Sequence, residues 1–357
     1  MSSDRQLLEG LAASGGVRVR VGATFSRMPQ ELRAGFDFGR IEGMMLGLAI
    51  GDALGNTTES CLPRQRRDEY GEIRDYLNGR GYPSDDSQLA FWTLEQLIAD
   101  RGFVPERVAR RFGQGRIFGI GDTVRGFLRA LKAGASWQQC GQPSAGNGAL
   151  MRVAPVLVPH LRAPSPELWA DAALCAMITH NDSVAIASAV AFIALLWELL
   201  ATDAPPAPEW WLSQFAGVLR DLECEGSHRA RSPELADFRG PLWKLIEQEL
   251  PRAWDEGLTV LQACSRWYSG AYLLETVPCV LYTLMRHGDE PEEAIVRAVN
   301  DTRDNDTAAA IVGAAVGALH GRAGLPHRWI DSLSGRTAAA DDGRMFELLA
   351  AARELWG

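Results

Sequence analysis

The chain has 357 residues, 46% of them hydrophobic and 23% charged, with a formal net charge of -9. That is enough apolar material for a large buried core, and the acidic balance argues against bulk binding to nucleic acid phosphates. Six cysteines without close pairing or a CxxC spacing read as reduced thiols of a cytoplasmic protein, and the start MSSDRQLLEG lacks the apolar stretch of a signal peptide.

The first forty residues are basic on an acidic protein. Arg5, Arg18, Arg20, Arg27 and Arg33 stand against Asp4, Glu9 and Glu31. Val17-Arg18-Val19-Arg20-Val21 alternates with period two and predicts an edge strand, and Phe25, Met28 and Leu32 offer apolar anchors. Residues 1–40 therefore read as an extension, either packed on its own domain or reaching out as a partner-binding arm.

The stretch GMMLGLAIGDALG follows. Its Gly43, Gly47, Gly51 and Gly55 recur at every fourth residue and so share one helix face. Glycine costs about 1 kcal/mol against alanine inside a helix, so a whole stripe of it implies close backbone approach. Gly313, Gly317 and Gly321 repeat the pattern late in the chain, and Ala309 extends it. Both apolar runs are bordered by Glu42, Asp52 and Arg322 and fall short of the roughly 18 residues a membrane span needs, so no membrane is expected.

Two clusters of oxygen-bearing residues carry the most information. Ser84-Asp85-Asp86-Ser87 precedes a helix-like run from Gln88 to Asp100, and Asp304-Asn305-Asp306-Thr307 precedes one from Ala308 to His320. Each alone is an ordinary helix start, with a good N-cap and acids that suit the helix dipole. Together they ask for a cation. Clustered carboxylates repel one another unless neutralised, and a hard divalent ion takes several carboxylate and hydroxyl oxygens.

Between the clusters, Gly113, Gly115, Gly119 and Gly121 lead into Asp122-Thr123, and Ser144-Ala145-Gly146-Asn147-Gly148 is a loop of small residues. Either is an ordinary tight turn or a place where backbone N–H groups approach an anion. Arg152 reads as a buried ion-pair partner in preference to a phosphate ligand. His180-Asn181-Asp182 heads an apolar run, Val184 to Leu200, that predicts a buried central helix. Leu168 to Ile178, Glu292 to Val299 and Met345 to Trp356 are shorter helical patterns. Ala204 to Pro208 is a proline-rich break and Arg229 to Pro241 a polar stretch. Trp210, Trp211, Trp243, Trp254 and Trp267 nearby are expected on loops and short helices against the core.

Five segments, GMMLGLAIGDALGNTTES, YPSDDSQLAFWTLEQL, SAGNGALMRVAPV, THNDSVAIA and VNDTRDNDTAAAIVGAAVGALHG, resemble the ADP-ribosylglycohydrolase family, whose bacterial prototype reactivates dinitrogenase reductase. The resemblance implies an all-α fold, with residues 41–357 as a single compact orthogonal helical domain and a binuclear site for two divalent cations, Mg or Mn, in a central cleft. It implies metal ligands at Ser84, Asp85, Asp86, Asp304, Asp306 and Thr307. Ser84 stands where the family usually has Thr, and Thr302-Arg303 where it often has Gly-Gly. It places Gly119, Ser144, Gly146, Asn147 and Met151 against the diphosphate and adenosine of ADP-ribose, and His180 near the ribose. Glu59 holds the position of a catalytic or substrate-gating Glu, and Asp304 is the second catalytic candidate.

The implied activity is removal of ADP-ribose from modified protein side chains, arginine N-linked as in bacterial relatives. Hydrolysis of serine-linked or O-acetyl-ADP-ribose is one alternative, and a non-catalytic ADP-ribose-binding or structural role another. Relatives paired with ADP-ribosylating toxins as immunity proteins give residues 1–40 a cognate toxin as a candidate partner.

Overall fold

The computed structural model describes residues 3–357 apart from Asp203, Glu225 and Ser227. Among these residues seventeen α-helices and five short 3-10 segments form and no strand does, so the chain is all-α as expected.

The architecture is built on one helix pair. The glycine helix, Gly39–Asn56, lies antiparallel to the late helix, Asn305–His320, and both are buried over almost their whole length. A β-carbon on Gly47 would lie 2.1 Å from the carbonyl oxygen of Gly313, and one on Gly51 would lie 2.0 Å from that of Ala309. Seen from the other side, a β-carbon on Gly317 would lie 2.0 Å from the Gly43 oxygen. The groups in the way are backbone, which cannot yield unless a helix moves. The order of contacts, from Gly43 with Gly317 to Gly55 with Asp306, sets the end of the glycine helix against the first turn of the late helix.

Around this pair stands the apolar shell. The central helix, Ser183–Ala201, starts where Asp182 accepts the Val184 N–H at 3.0 Å. It is long and apolar enough to cross a membrane by length and composition, yet 89% of its apolar 18-residue stretch is buried in the protein. The shorter patterns form helices Glu167–Met177, Pro291–Asp301 and Arg344–Trp356. The tryptophan-rich region holds longer helices than expected, Pro208–Leu222 and Leu242–Asp255. Ala204 to Pro208 does break the chain between two helices, and Pro208 at the first position of the second costs no hydrogen bond there, while Pro241 immediately precedes its helix.

Residues 3–40 pack on the domain. Helix Asp4–Ala13 lies on Glu167–Met177 with Leu8 fully buried, and the Arg5 N–H donates to Glu167 Oε2 at 3.0 Å. Residues 17–21 do not form the expected strand. Val17 and Val19 are buried, but the Arg20 N–H meets the carbonyl of Leu222 at 2.9 Å. Leu222 ends a helix, and its orphan carbonyl takes one donor without offering a ladder to extend. Phe25 is buried, whereas Met28 is 61% exposed and does not anchor the segment on its own domain. The indole N–H groups of Trp169 and Trp197 fasten this segment, donating to the carbonyls of Arg27 at 2.7 Å and Gln30 at 2.8 Å.

Gly47→Ala tests the seam. Helix propensity alone would stabilise it by about 1 kcal/mol, while overpacking against backbone costs roughly 1–3 kcal/mol. The expected net result is a lower Tm in thermal denaturation. A higher Tm would show that the helices separate freely.

Candidate active site and metal centre

Asp52 is the hinge between the glycine helix and the first cluster. Its carboxylate is fully buried and accepts the Ser84 N–H at 2.9 and 3.0 Å, the Ser87 N–H at 3.0 Å and the Ser87 O–H at 2.5 Å. It thereby satisfies donors left open at the start of helix Asp85–Asp100. At the other edge, Gly55 leaves only 2.4 Å between the place of a β-carbon and the Cα of Asp306. One helix thus registers both clusters.

The clusters meet on one cavity of about 240 Å3, whose wall includes Glu59, Asp85, Asp86, Asp304, Asp306 and Thr307. Single carboxylate oxygens of Glu59, Asp304 and Asp306 lie within 4.8 Å of one another. Gly119, Gly146, Asn147, Met151 and His180 complete the wall on the other side. Two expected residues stand behind it. Ser84 Oγ caps its helix, accepting the Asp86 N–H at 3.3 Å, and Ser144 Oγ shares a hydrogen bond with Thr123 Oγ1 at 2.8 Å. Gly119 has φ +59, and a β-carbon there would come 3.3 Å from Asp85 Oδ1. Gly115 packs elsewhere, on the Trp92 ring.

The carboxylates are crowded and dry. Burial raises Asp86 and Asp306 well above the ordinary range, and neighbouring carboxylates add to it, Asp306 foremost for Asp86 and Asp304 for Asp306. Burial and then Asp52 push Asp85 up to about 8. Asp304 rises only to about 6, because burial is opposed by Asn147, whose Nδ2 donates to Asp304 Oδ2 at 2.5 Å. Asp86 Oδ2 is buried with no hydrogen-bond partner among the described residues. The wall carries neither Lys nor Arg. An orphaned carboxylate oxygen on a wall with Glu59, Asp85, Asp304 and Asp306 needs a proton or a cation. The donors are all oxygen, which fits Mg or Mn.

Three supporting residues lay outside the sequence reading of the site. Asp52 had a visible signal, an acid inside an apolar glycine run. Arg66 had none, since RQRRDE looks like a solvated charge run. Yet Arg66 is fully buried and donates to Thr58 Oγ1 at 2.9 Å and to the carbonyls of Cys61 and Thr302, each at 3.0 Å. It ties the loop that carries Glu59 to the segment that leads into Asp304. Thr276 is the third, accepting from Asn147 Nδ2 at 3.0 Å.

Arg152 is buried as expected, but its partners are neutral and not a carboxylate. Its guanidinium donates to the Cys175 carbonyl at 3.1 Å and Thr179 Oγ1 at 2.8 Å, and lies 4.9 Å from the centre of the Phe112 ring. Carbonyl, hydroxyl and ring together replace the anion. Thr179 Oγ1 in turn lies 2.8 Å from His180 Nδ1. Burial, then Arg152, lower His180 to about 3, so its ring is neutral. Arg303 lies 4.0 Å from the centre of the Tyr268 ring. Tyr268 and Ser269 adopt φ +77 and +50, and Ser269 O accepts the Arg303 and Asp304 N–H groups at 3.2 and 3.0 Å.

Residues 35–356 match the ADP-ribosylglycohydrolase family. The chain belongs to that family. Among its relatives, the ADP-ribosylarginine hydrolase Tri1 of Pseudomonas putida is 27% identical over 83% of this chain and 74% of its own length. The ADP-ribosylhydrolase ARH3 of Homo sapiens is 26% identical over 83% of this chain and 89% of its own. A solved structure, of an ADP-ribosylglycohydrolase-related protein complex, superposes with a TM-score of 0.66 at 27% identity, over 90% of this chain and 99% of that one.

The raised carboxyl groups give this glycohydrolase a signed pH dependence. With folded pKa values above the unfolded 3.8, these groups favour the folded state at low pH, and that contribution fades as pH rises through about 6 for Asp304 and about 8 for Asp85. Metal-free protein should therefore lose Tm between about pH 5 and pH 8.5, and added Mn should restore it most at the alkaline end. A cation effect that is equal at both ends, or absent, would contradict the crowded-carboxylate site.

Proposed function

We propose that this ADP-ribosylglycohydrolase releases ADP-ribose from modified arginine side chains, with two Mg or Mn ions held by Asp85, Asp86, Asp304, Asp306 and Thr307, and Ser84 supporting the first cluster. The observation that carries the reading is the orphaned, buried Asp86 oxygen facing the second cluster across a cavity that also takes Glu59 and His180. The likeness to an enzyme named for ADP-ribosylarginine supports arginine as the acceptor.

Cleavage of the bond at C1 of the ribose develops positive charge on the sugar. Bound divalent cations supply charge that orients the ribose hydroxyls and lowers the pKa of water. The residues do the rest. Glu59 stands at the rim with its carboxyl raised by burial and by Asp52, suited to move a proton at the leaving nitrogen. Asn147 fixes the rotamer of Asp304. His180, neutral and tethered through Nδ1, turns Nε2 toward Gly146, within 3.6 Å of the place of a β-carbon there, where it can bond a ribose hydroxyl. Gly119 and Gly146 let a diphosphate approach backbone, and Met151 offers an apolar wall to the adenosine.

Serine-linked and O-acetyl-ADP-ribose would use the same cavity, and the likeness to ARH3 keeps that reading as the second one. The complete carboxylate set weighs against a purely structural role. A cytoplasmic location belongs to the same proposal and is supported by six free cysteines. A toxin partner for residues 1–40 would have to use their outward side, where Val21 and Met28 are exposed.

Asp304→Asn should lower hydrolysis of an arginine-ADP-ribosylated protein by about 10²–10⁴-fold, with an unchanged helical circular dichroism spectrum. Metal-free wild type should fall similarly. Full hydrolysis by either would overturn the metal-site reading. Faster release from serine-linked than from arginine-linked protein would move the acceptor to the alternative.

A further inference from the structure

A second concavity, of about 760 Å3, lies between the N-terminal segment and the tryptophan-rich helices, lined by Arg20, Arg220, Arg239 and Lys244 around Trp243. Its cations come from four separate segments of a chain with net charge -9. Arg220 and Lys244 both lie over the Trp243 ring, at 5.4 and 5.2 Å from its centre. Arg20 is brought there by the arm. Its Nε donates to the Asp221 carbonyl at 2.7 Å, and the buried Val17 and Val19 hold its backbone.

Among the described residues the carboxylates nearby are largely committed. Glu223 is 2% exposed and accepts the N–H groups of Leu242 at 2.8 Å and Trp243 at 3.4 Å. Glu247 takes Arg220, and Asp221 accepts Thr24 N–H and O–H at 2.7 Å each. Among the described residues no carboxylate forms an ion pair with Arg20, Arg239 or Lys244. The segment that carries Arg20 is also tied to the segment that carries His180. Arg18, exposed and two residues before Arg20, donates its N–H to Asn181 Oδ1 at 2.9 Å, and Asn181 follows His180 on the cavity wall.

We infer that this basic groove docks an acidic segment of the ADP-ribosylated protein while the modified side chain enters the carboxylate cavity. The identity of that partner rests on the proposed hydrolase function; the anion-binding groove itself does not. Four cations around a concavity of about 760 Å3 can pair with several carboxylates of one peptide chain. The acidic surface elsewhere would repel such a partner, so the groove orients it.

The direct test is fluorescence anisotropy of a labelled glutamate-only octapeptide with the full chain at low salt. Wild type should bind it, and Arg239→Glu/Lys244→Glu should bind about tenfold more weakly, as loss and reversal of two exposed charges would produce. Thermal melting should change little, since among the described residues neither side chain has a hydrogen bond or ion pair to lose, and Lys244 gives up only its place over the exposed side of the Trp243 ring. Equal binding by wild type and variant, or none by wild type, overturns the groove. Equal affinity for an eight-residue oligothymidylate also overturns the acidic-peptide assignment.

A kinetic arm connects the groove to the reaction. With synthetic ADP-ribosylarginine peptides, a glutamate flank should lower KM relative to a serine flank in wild type, and the variant should lose that advantage with kcat unchanged. An advantage that survives in the variant would overturn substrate docking. If neither peptide is hydrolysed but octaglutamate binding depends on Arg239 and Lys244, the proposed acceptor fails and the groove stands.

Discussion

Backbone-to-backbone contact between the glycine helix and the late helix is the constraint on which the site depends. With no side-chain layer between them, Gly47 and Gly51 face the carbonyls of Gly313 and Ala309 directly. Such a seam has little freedom to slide. Its end delivers Asp306 against Gly55, while Asp52, on the same helix, holds the amides of Ser84 and Ser87. Two carboxylate clusters more than two hundred residues apart are therefore held to one geometry by one helix. Burial, and after it the crowding that this registration imposes, raises Asp85, Asp86 and Asp306, and groups so placed need a proton or a cation.

A layer of buried polar groups then aims the reactive ones. Arg66 joins the Glu59 loop to the approach to Asp304, Asn147 holds Asp304, and Arg152 reaches His180 through Thr179. Two of these anchors are guanidiniums that bond carbonyls and hydroxyls. A carboxylate partner would add one more negative group to a region already crowded with them. Neutral acceptors spare the site that repulsion and still bond most of the planar fork, with only Arg152 Nε left without a partner among the described residues.

Much of this was legible in the chain because its signals are local. Glycines at every fourth residue, acids at two helix starts and an apolar run after Asn181-Asp182 all describe single elements, and each formed as expected. That the elements meet around one cavity came from the family resemblance, since spacing along the chain does not encode which helix ends face each other. The misreadings have a common cause. Val17 and Val19 alternate with arginines whether they bury against a sheet or beside a helix end, so the strand was indistinguishable from an extended strap. Pro208 and Pro241 punctuate the chain where expected, but a proline before a helix says nothing of how long that helix runs. Arg66 sits among Arg64, Arg67 and Asp68, and only tertiary packing separates the buried guanidinium from its solvated neighbours.

The most direct measurement is calorimetric titration of Mn into metal-free protein near neutral pH, repeated in buffers of different ionisation enthalpy. Carboxyl groups held protonated by burial and crowding must give up those protons when an ion replaces them. Saturable binding of two ions with net proton release is the expected result. No saturable binding, or binding that releases no protons, would contradict a site built from crowded carboxylates on a glycine seam.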